Sequence, residues 1–196
     1  YKGNIVTTYY YSTSCGKTTT MKAWGTSENE SNGYLQSVEV KDKNGDYEKS
    51  LPWYRWEADI DQDILSTLLA ENVKKNIGTV QSLEVTKTGP GGVALQIKAV
   101  GDKGSITVDT ENKIRKALGG NGYEIKKQDG TVAQSGTLLP SAFFKVKKAG
   151  NIFKITGGGY GHGIGMSQNG ANEMAKTGKN YQEILQMFYP GTTIEK

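Results

Sequence analysis

The stretch GGGYGHGIGMSQNGA, residues 157–171, decides how this chain is read, and it holds the only histidine, His162. Seven of its fifteen residues are glycine. Glycine gives up more backbone freedom on folding than any other residue, so a run this rich frays unless something holds it. Alternating glycines have one use that offsets that entropy. They let the backbone run against another surface where a Cβ would clash, and they adopt positive φ where a turn needs it. If the segment is extended, Tyr160 and His162 project together and Ile164 continues the alternation. Ser167 and Gln168 follow at a helix start, where free N–H groups and neutral polar side chains favour oxygen-rich ligands. One imidazole, one phenol, one hydroxyl and one amide along a glycine-walled groove offer both donors and acceptors, as sugar hydroxyls require.

Other readings of the same glycines turn on context. A nucleotide loop would need Gly-Lys-Ser/Thr, or a βαβ unit with an acidic residue about 20 positions on, and neither is present. A packed turn around a structural histidine stays open on spacing alone.

Working outward, the chain alternates hairpin and helix signals. IVTTYYYSTS (5–14) and GYLQSVEV (33–40) read as strands, and KDKNGDYEK (41–49) as a polar turn with an Asn-Gly signal. An extended PWYRWEADI (52–60) would put Trp53, Arg55 and Glu57 on one side and Tyr54 and Trp56 on the other. A helix capped by Asp61 follows over 60–73, with Ile64, Leu65, Leu68 and Leu69 as its apolar stripe. Hairpins are expected over 80–100 around Gly89–Gly92, over 123–136 at Asp129-Gly130 and over 143–159 at Ala149-Gly150. Between them lie a strand at 105–110 and a short helix from Thr110 to a Gly119 stop. Two helical segments close the chain, 167–176 and 181–189, the second stopped by Pro190-Gly191. The class is α+β: antiparallel hairpins with a few short helices. Residues 80–150 form a strand-rich sub-lobe within one 1–196 domain.

Composition excludes several functions. The 196 residues carry a net charge of +4, and basic residues never run longer than pairs such as Lys126-Lys127, so no nucleic-acid arm is present. No apolar run approaches the roughly 18 residues of a membrane helix, and no signal peptide is seen. A single cysteine, Cys15, excludes an internal disulfide. Eleven tyrosines and three tryptophans beside four phenylalanines suit a carbohydrate binder and an ordinary β protein alike.

Two stretches carry a family resemblance. YYYSTSCGKTTTMKAWG (9–25) and GGGYGHGIGMSQNGANEMAKTGKNYQEILQMFYPGTTIEK (157–196) resemble the SpoIID/LytB family of sporulation stage II protein D and amidase enhancers, with PWYRWE (52–57) similar to its middle marker. The resemblance implies a bacterial lytic transglycosylase that cuts stem-peptide-free peptidoglycan glycan strands, leaving 1,6-anhydromuramyl ends, alongside a partner amidase. The alternative it implies is a non-catalytic peptidoglycan-binding or amidase-enhancing module. Either implies an extracytoplasmic place, in the cell wall or anchored to the membrane through an N-terminal segment beyond this chain. The groove residues it implies are Ser12, Ser14, Tyr160, His162, Ser167 and Gln168.

The chemistry needs one carboxylic acid that first protonates the glycosidic oxygen and then, as carboxylate, accepts the muramyl 6-hydroxyl proton. Partial desolvation keeps such an acid protonated near neutral pH. The family's glutamate lies in an Ala-rich helix upstream of its Ser-Thr-Ser segment. Glu57 and Glu173 do not match it, so the catalytic residue is expected upstream of Tyr1 and this chain is expected to furnish the groove. No cofactor is required. A zinc bound through Cys15 would need upstream ligands, because one histidine and one cysteine do not make a site. Trp24, Trp53 and Trp56 are read as packing residues.

Overall fold

The computed structural model describes residues 1–195. Strand β1 (Tyr10–Tyr11) leads into a 3-10 turn at Met21–Trp24, then into the small hairpin of β2 (Lys41–Asp42) and β3 (Gly45–Asp46). After a second 3-10 turn at Pro52–Tyr54 come β4 (Trp56–Asp61) and α1 (Gln62–Val73). β5 (Val80–Thr88), β6 (Ala94–Gly101) and β7 (Gly104–Asp109) precede α2 (Glu111–Leu118). β8 (Glu124–Lys127), β9 (Val132–Gln134), β10 (Phe144–Ala149) and β11 (Ile152–Gly157) follow, and the chain closes with β12 (Met166–Ser167), α3 (Gln168–Lys176) and α4 (Tyr181–Phe188).

The α+β class stands as the sequence has it, with mostly antiparallel sheets. A five-stranded sheet runs β10-β11-β4-β8-β9, and a three-stranded one runs β5-β6-β7. Strands of the 80–150 stretch are therefore shared: β5 to β7 form their own sheet, while β8, β9 and β10 join β4 and β11. Trp56, Ala58 and Ile60 alternate inward along β4 and join one buried cluster with Phe153 and Ile155 of β11 and Leu65 and Leu69 of α1.

Helix caps follow the side chains that precede them. Asp61 accepts from Asp63 N–H at 2.8 Å, and Asn180 with Glu183 closes a reciprocal capping box. Gly119 differs from expectation. Its φ of −79° is not left-handed, and what demands glycine there is contact, since a Cβ would lie 2.3 Å from the Thr137 carbonyl oxygen.

Other differences share one cause. Of residues 5–14 only Tyr10–Tyr11 is a strand, and it pairs in parallel with Met166–Ser167. Residues 33–40 form no strand; Glu39 makes a lone bridge with Lys17. Pro52–Tyr54 turns where extension is expected, so β4 begins at Trp56. In each case the pairing partner is distant in sequence or missing, and alternation alone does not make a strand.

The glycine stretch is not extended past Gly157. Gly159, Gly161, Gly163 and Gly165 all have φ between 74° and 123°, so the chain turns at every second residue. Tyr160 and His162 consequently do not share a neighbourhood. Tyr160 is 43% exposed with its ring 4.8 Å from Trp53, while His162 stacks near Tyr11 and Trp24 at 5.5 and 5.1 Å.

Candidate functional site

A cleft of about 850 Å³ opens where the Ser-Thr-Ser segment meets the five-stranded sheet. Cys15, Gly16 and Lys17 form one wall, and Arg55, Trp56 and Glu57 at the start of β4 form the floor with Gly157 and Gly158 at the end of β11. Gly158 is required by proximity, since a Cβ there would fall 2.5 Å from the Tyr54 carbonyl oxygen and 2.8 Å from the Cys15 Cβ. Two glycines of the opening stretch thus do line a groove, while Gly161, Gly163 and Gly165 pack inward against Tyr11, Phe143 and Tyr9.

The cleft is rich in cations. Lys17 and Lys41 pair with Glu39 at 3.3 and 2.5 Å, and Lys126 lies 3.8 Å from Glu57. Arg55 Nη1 donates to the carbonyls of Cys15 (3.0 Å) and Tyr54 (2.7 Å), and its guanidinium stacks 3.9 Å over the Tyr54 ring. Lys127 lies 5.1 Å over the Trp53 ring. Among the described residues, Arg55, Lys127 and Lys145 have no carboxylate partner, so the cleft keeps unneutralised positive charge.

Behind the cleft wall lies a residue that the sequence reading missed. Glu48, in the segment read as a polar turn, is fully buried. Its Oε1 accepts from Ser14 N–H at 2.9 Å and from the Ser167 hydroxyl at 2.7 Å, and its Oε2 accepts from the Ser14 hydroxyl. Ser167 also caps α3, accepting from Gly170 N–H at 3.2 Å. Burial pushes the Glu48 carboxyl up; the hydrogen bonds from Ser14 and Ser167 pull it down, and Glu173 adds to the rise. Nothing local in KDKNGDYEK marks Glu48 as interior, because its partners lie 34 and 119 residues away.

The remaining expected groove residues fall at separate places. Ser14 and Ser167 meet at Glu48, both buried. Ser12 bonds Thr13 Oγ1 at 3.2 Å, and its carbonyl accepts from Asn169 N–H. Gln168 begins α3 with its side chain exposed. His162 has both ring nitrogens engaged by backbone: Nδ1 accepts from Ile164 N–H at 3.1 Å, and Nε2 lies 3.0 Å from the Tyr10 carbonyl, which fixes the Nε2–H tautomer. Burial holds its pKa below the usual histidine value. Trp24 donates to Glu111 at 3.2 Å and Trp56 to the Gly159 carbonyl at 3.0 Å, as packing residues with a satisfied N–H. Burial pushes the Cys15 thiol up. Among the described residues no three His, Cys, Asp or Glu side chains gather as metal ligands, so a metal at Cys15 would need donors from elsewhere.

An α+β domain with a basic cleft between a Ser-Thr-Ser segment and a glycine-rich return is the class of protein defined here. Residues 20–165 match the family described as a domain of unknown function, DUF8618, and the chain belongs to that family. It is also similar to stage II sporulation protein D of Bacillus subtilis, 39% identical over 93 residues, 47% of this chain and 26% of that protein. The amidase enhancer of the same organism is 50% identical over 58 residues, 30% of this chain and 8% of the relative. An uncharacterised protein of Brachyspira hyodysenteriae is 41% identical over 95 residues, 47% of this chain and 26% of its own length. The resemblance read from the sequence therefore holds, and the chain spans about a quarter or less of each of these relatives. Among the described residues no helix is long and apolar enough to cross a membrane.

Proposed function

We propose that this chain forms the glycan-strand groove of a cell-wall lytic transglycosylase of the stage II sporulation protein D type, acting outside the cytoplasmic membrane. The observation that carries the reading is the cleft itself. Cys15–Lys17, Arg55–Glu57 and Gly157–Gly158, one piece from each stretch that carries the resemblance, line a single opening.

Its charge supports a specific ligand chemistry. Once stem peptides are removed, each muramyl unit bears a free lactyl carboxylate, and a glycan strand becomes a polyanion. Arg55, Lys127 and Lys145 are cations without carboxylate partners along the groove. Carboxylates spaced along the strand would meet these cations in turn.

The reading gives this chain the groove and not the proton. Glu48 is sealed from solvent, and Glu173 pairs with Lys176 at 2.7 Å on α3, away from the cleft. Two glutamates line the cleft: Glu57 on its floor, 3.8 Å from Lys126 and 3.9 Å from Lys154, and Glu39, whose carboxyl Lys41 and Lys17 hold below the usual range. A carboxylic acid supplied from outside the chain would donate to the glycosidic oxygen and then accept the 6-hydroxyl proton, and the C1–O bond to the leaving sugar would be replaced by the internal C1–O6 bond.

The test is mass spectrometry of stem-peptide-free glycan strands incubated with this chain and with a version extended upstream. Anhydromuramyl ends from the extended version alone support the reading. Such ends from this chain alone would move the acid to Glu57, and none from either would overturn the enzyme. The similarity to an amidase enhancer favours a second reading, a wall-binding module that raises amidase turnover. Sedimentation with peptidoglycan together with a faster amidase, and no glycan cleavage, would select it.

A further inference from the structure

We propose that Glu48 is the positioning residue of the cleft: its carboxylate clamps Ser14 to Ser167 and thereby sets where Cys15, Gly16 and Lys17 stand in the wall. The inference rests on the cleft being the working surface, as proposed above.

The hydrogen-bond directions require an acceptor at both oxygens. Gly16 N–H donates to Ser14 Oγ and Gly170 N–H donates to Ser167 Oγ, each at 3.2 Å. Each hydroxyl accepts from backbone N–H and turns its proton toward Glu48, with the Ser12 carbonyl at 3.4 Å a longer alternative for Ser167. With Ser14 N–H, three donors converge on one carboxylate. A glutamine turns an NH₂ group toward one of these donors, so a hydroxyl must redirect its proton, the Ser167 one toward the Ser12 carbonyl. The carboxylate accepts from all three donors at once.

The clamp adds a third part to a junction that already exists: Tyr11 pairs with Ser167, Ser14 N–H donates to Ser167 Oγ at 3.2 Å and Asn169 N–H donates to the Ser12 carbonyl, and Glu48 ties the stretch after β3 to them. Ser14 belongs to the segment entering the cleft, Ser167 to the head of α3, and Glu48 to the stretch after the β2–β3 hairpin. The next residues after Ser14 are the cleft wall. The Cys15 carbonyl accepts from Arg55 and the Gly16 carbonyl accepts from Val40 N–H at 2.9 Å, so a shift of Ser14 is passed directly to Arg55 and Lys17.

The groups facing Glu48 are Tyr11, Cys15 and Glu173, and none is a cation. The Tyr11 hydroxyl is itself buried and without a partner among the described residues. A buried carboxylate with no counter-charge is poor as a stabilising device. Its arrangement makes sense as a device that specifies one geometry.

The thiol of Cys15, the only one in the chain, reports that geometry without any glycan. In the full chain at neutral pH, Glu48→Gln is expected to raise the rate of Cys15 modification by a disulfide reagent about tenfold, and to weaken glycan binding. Ser167→Ala is expected to raise it by a smaller factor. With 4,4′-dithiodipyridine, which reads thiols in acid, the ratio of variant to wild-type rates should fall toward one as pH drops and Glu48 itself takes up a proton. A folded Glu48→Gln chain with unchanged Cys15 rate overturns the proposal, as does a ratio that is flat with pH. Should Glu48→Gln fail to fold, an unchanged rate in Ser167→Ala overturns it equally. Failure of the glycan reading leaves the thiol result standing, so the two are separable.

Discussion

Ser167 donates its hydroxyl proton to Glu48 at 2.7 Å across 119 residues of sequence. That bond closes the molecule around its cleft, joining the C-terminal glycine-rich return to the segment before β4. Its electrostatic consequence can be measured directly. Burial raises the Glu48 carboxyl above its ordinary value, so between the unfolded value and the raised folded one the native state holds the proton more tightly. Stability from this group is therefore fully present below the ordinary glutamate value, near pH 4.5, and is lost as pH rises through the folded value. Thermal melts from pH 4 to 8 should show that decline in the wild type and a flatter profile in Glu48→Gln. Parallel profiles would refute the assignment.

His162 carries the opposite sign. Burial lowers its pKa below 6.5, so it contributes stability above that pH that disappears as pH falls through the depressed value. The geometry gives the reason: Nδ1 accepts from Ile164 N–H and cannot do so once protonated. His162→Ala would strand the Ile164 N–H and the Tyr10 carbonyl and open space between Tyr11 and Trp24. A loss of about 2–4 kcal/mol is expected in denaturant unfolding, from the stranded polar groups and the cavity together. A change under about 0.5 kcal/mol, the range of ordinary surface substitutions, would show that the ring does not hold this turn.

The glycine stretch is constrained unevenly, and two alanine variants separate strain from space. At Gly165 φ is +74° and a Cβ would lie 2.1 Å from the Tyr9 carbonyl oxygen, which accepts from Met166 N–H and the Tyr189 hydroxyl. Gly165→Ala should cost about 3 kcal/mol or more, combining left-handed strain with overpacking. Gly150, in the β10–β11 turn at φ +59°, has nothing within 4 Å of the place a methyl group would take. Gly150→Ala should cost about 1–2 kcal/mol, from strain alone. Equal losses would mean that contact at Tyr9 is unimportant.

The buried pair on α2 makes a fourth stability test. Arg115 Nη1 bonds Glu111 at 2.7 Å, Arg115 Nε donates to the Leu139 carbonyl at 2.8 Å, and Glu111 also accepts from Trp24. Arg115→Met leaves Glu111 buried without its counter-charge and should cost about 3–5 kcal/mol. Replacing both residues with apolar ones should recover much of that loss, which a double-mutant cycle by chemical denaturation would read.

Local chemistry makes much of this fold legible. Asp61 announces its helix because a cap acts within three residues, and Asp129-Gly130 and Ala149-Gly150 announce hairpins for the same reason. What stays illegible depends on distant pairing. Tyr10–Tyr11 is a strand only because Met166–Ser167 lies beside it, and the apolar-polar alternation of residues 33–40 finds no partner strand. The site follows the same division. Ser14 and Ser167 are marked by the motifs that contain them, whereas Glu48 sits among Asp, Lys and Asn, and only the tertiary fold buries it. Alternation misleads at Tyr160 and His162, because each intervening glycine turns the chain.

Lys145 gives the sharpest test of the cleft's charge. It stands on β10 opposite Thr156, lines the cleft, and has no carboxylate partner among the described residues. It is exposed, so removing it should leave stability within about 0.5 kcal/mol of wild type. If the groove binds a polyanionic glycan, Lys145→Ala should weaken binding by about 0.5–1 kcal/mol at low salt, read by sedimentation or titration against stem-peptide-free strands. Added salt should shrink the difference, since a Debye length of about 8 Å at physiological ionic strength screens an exposed pair. Lys98 on β6, which is exposed and outside the cleft lining, provides the comparison: Lys98→Ala should leave affinity unchanged. Equal weakening in both variants would mean that the strand senses net charge alone, and the cleft would lose its claim to be the binding surface.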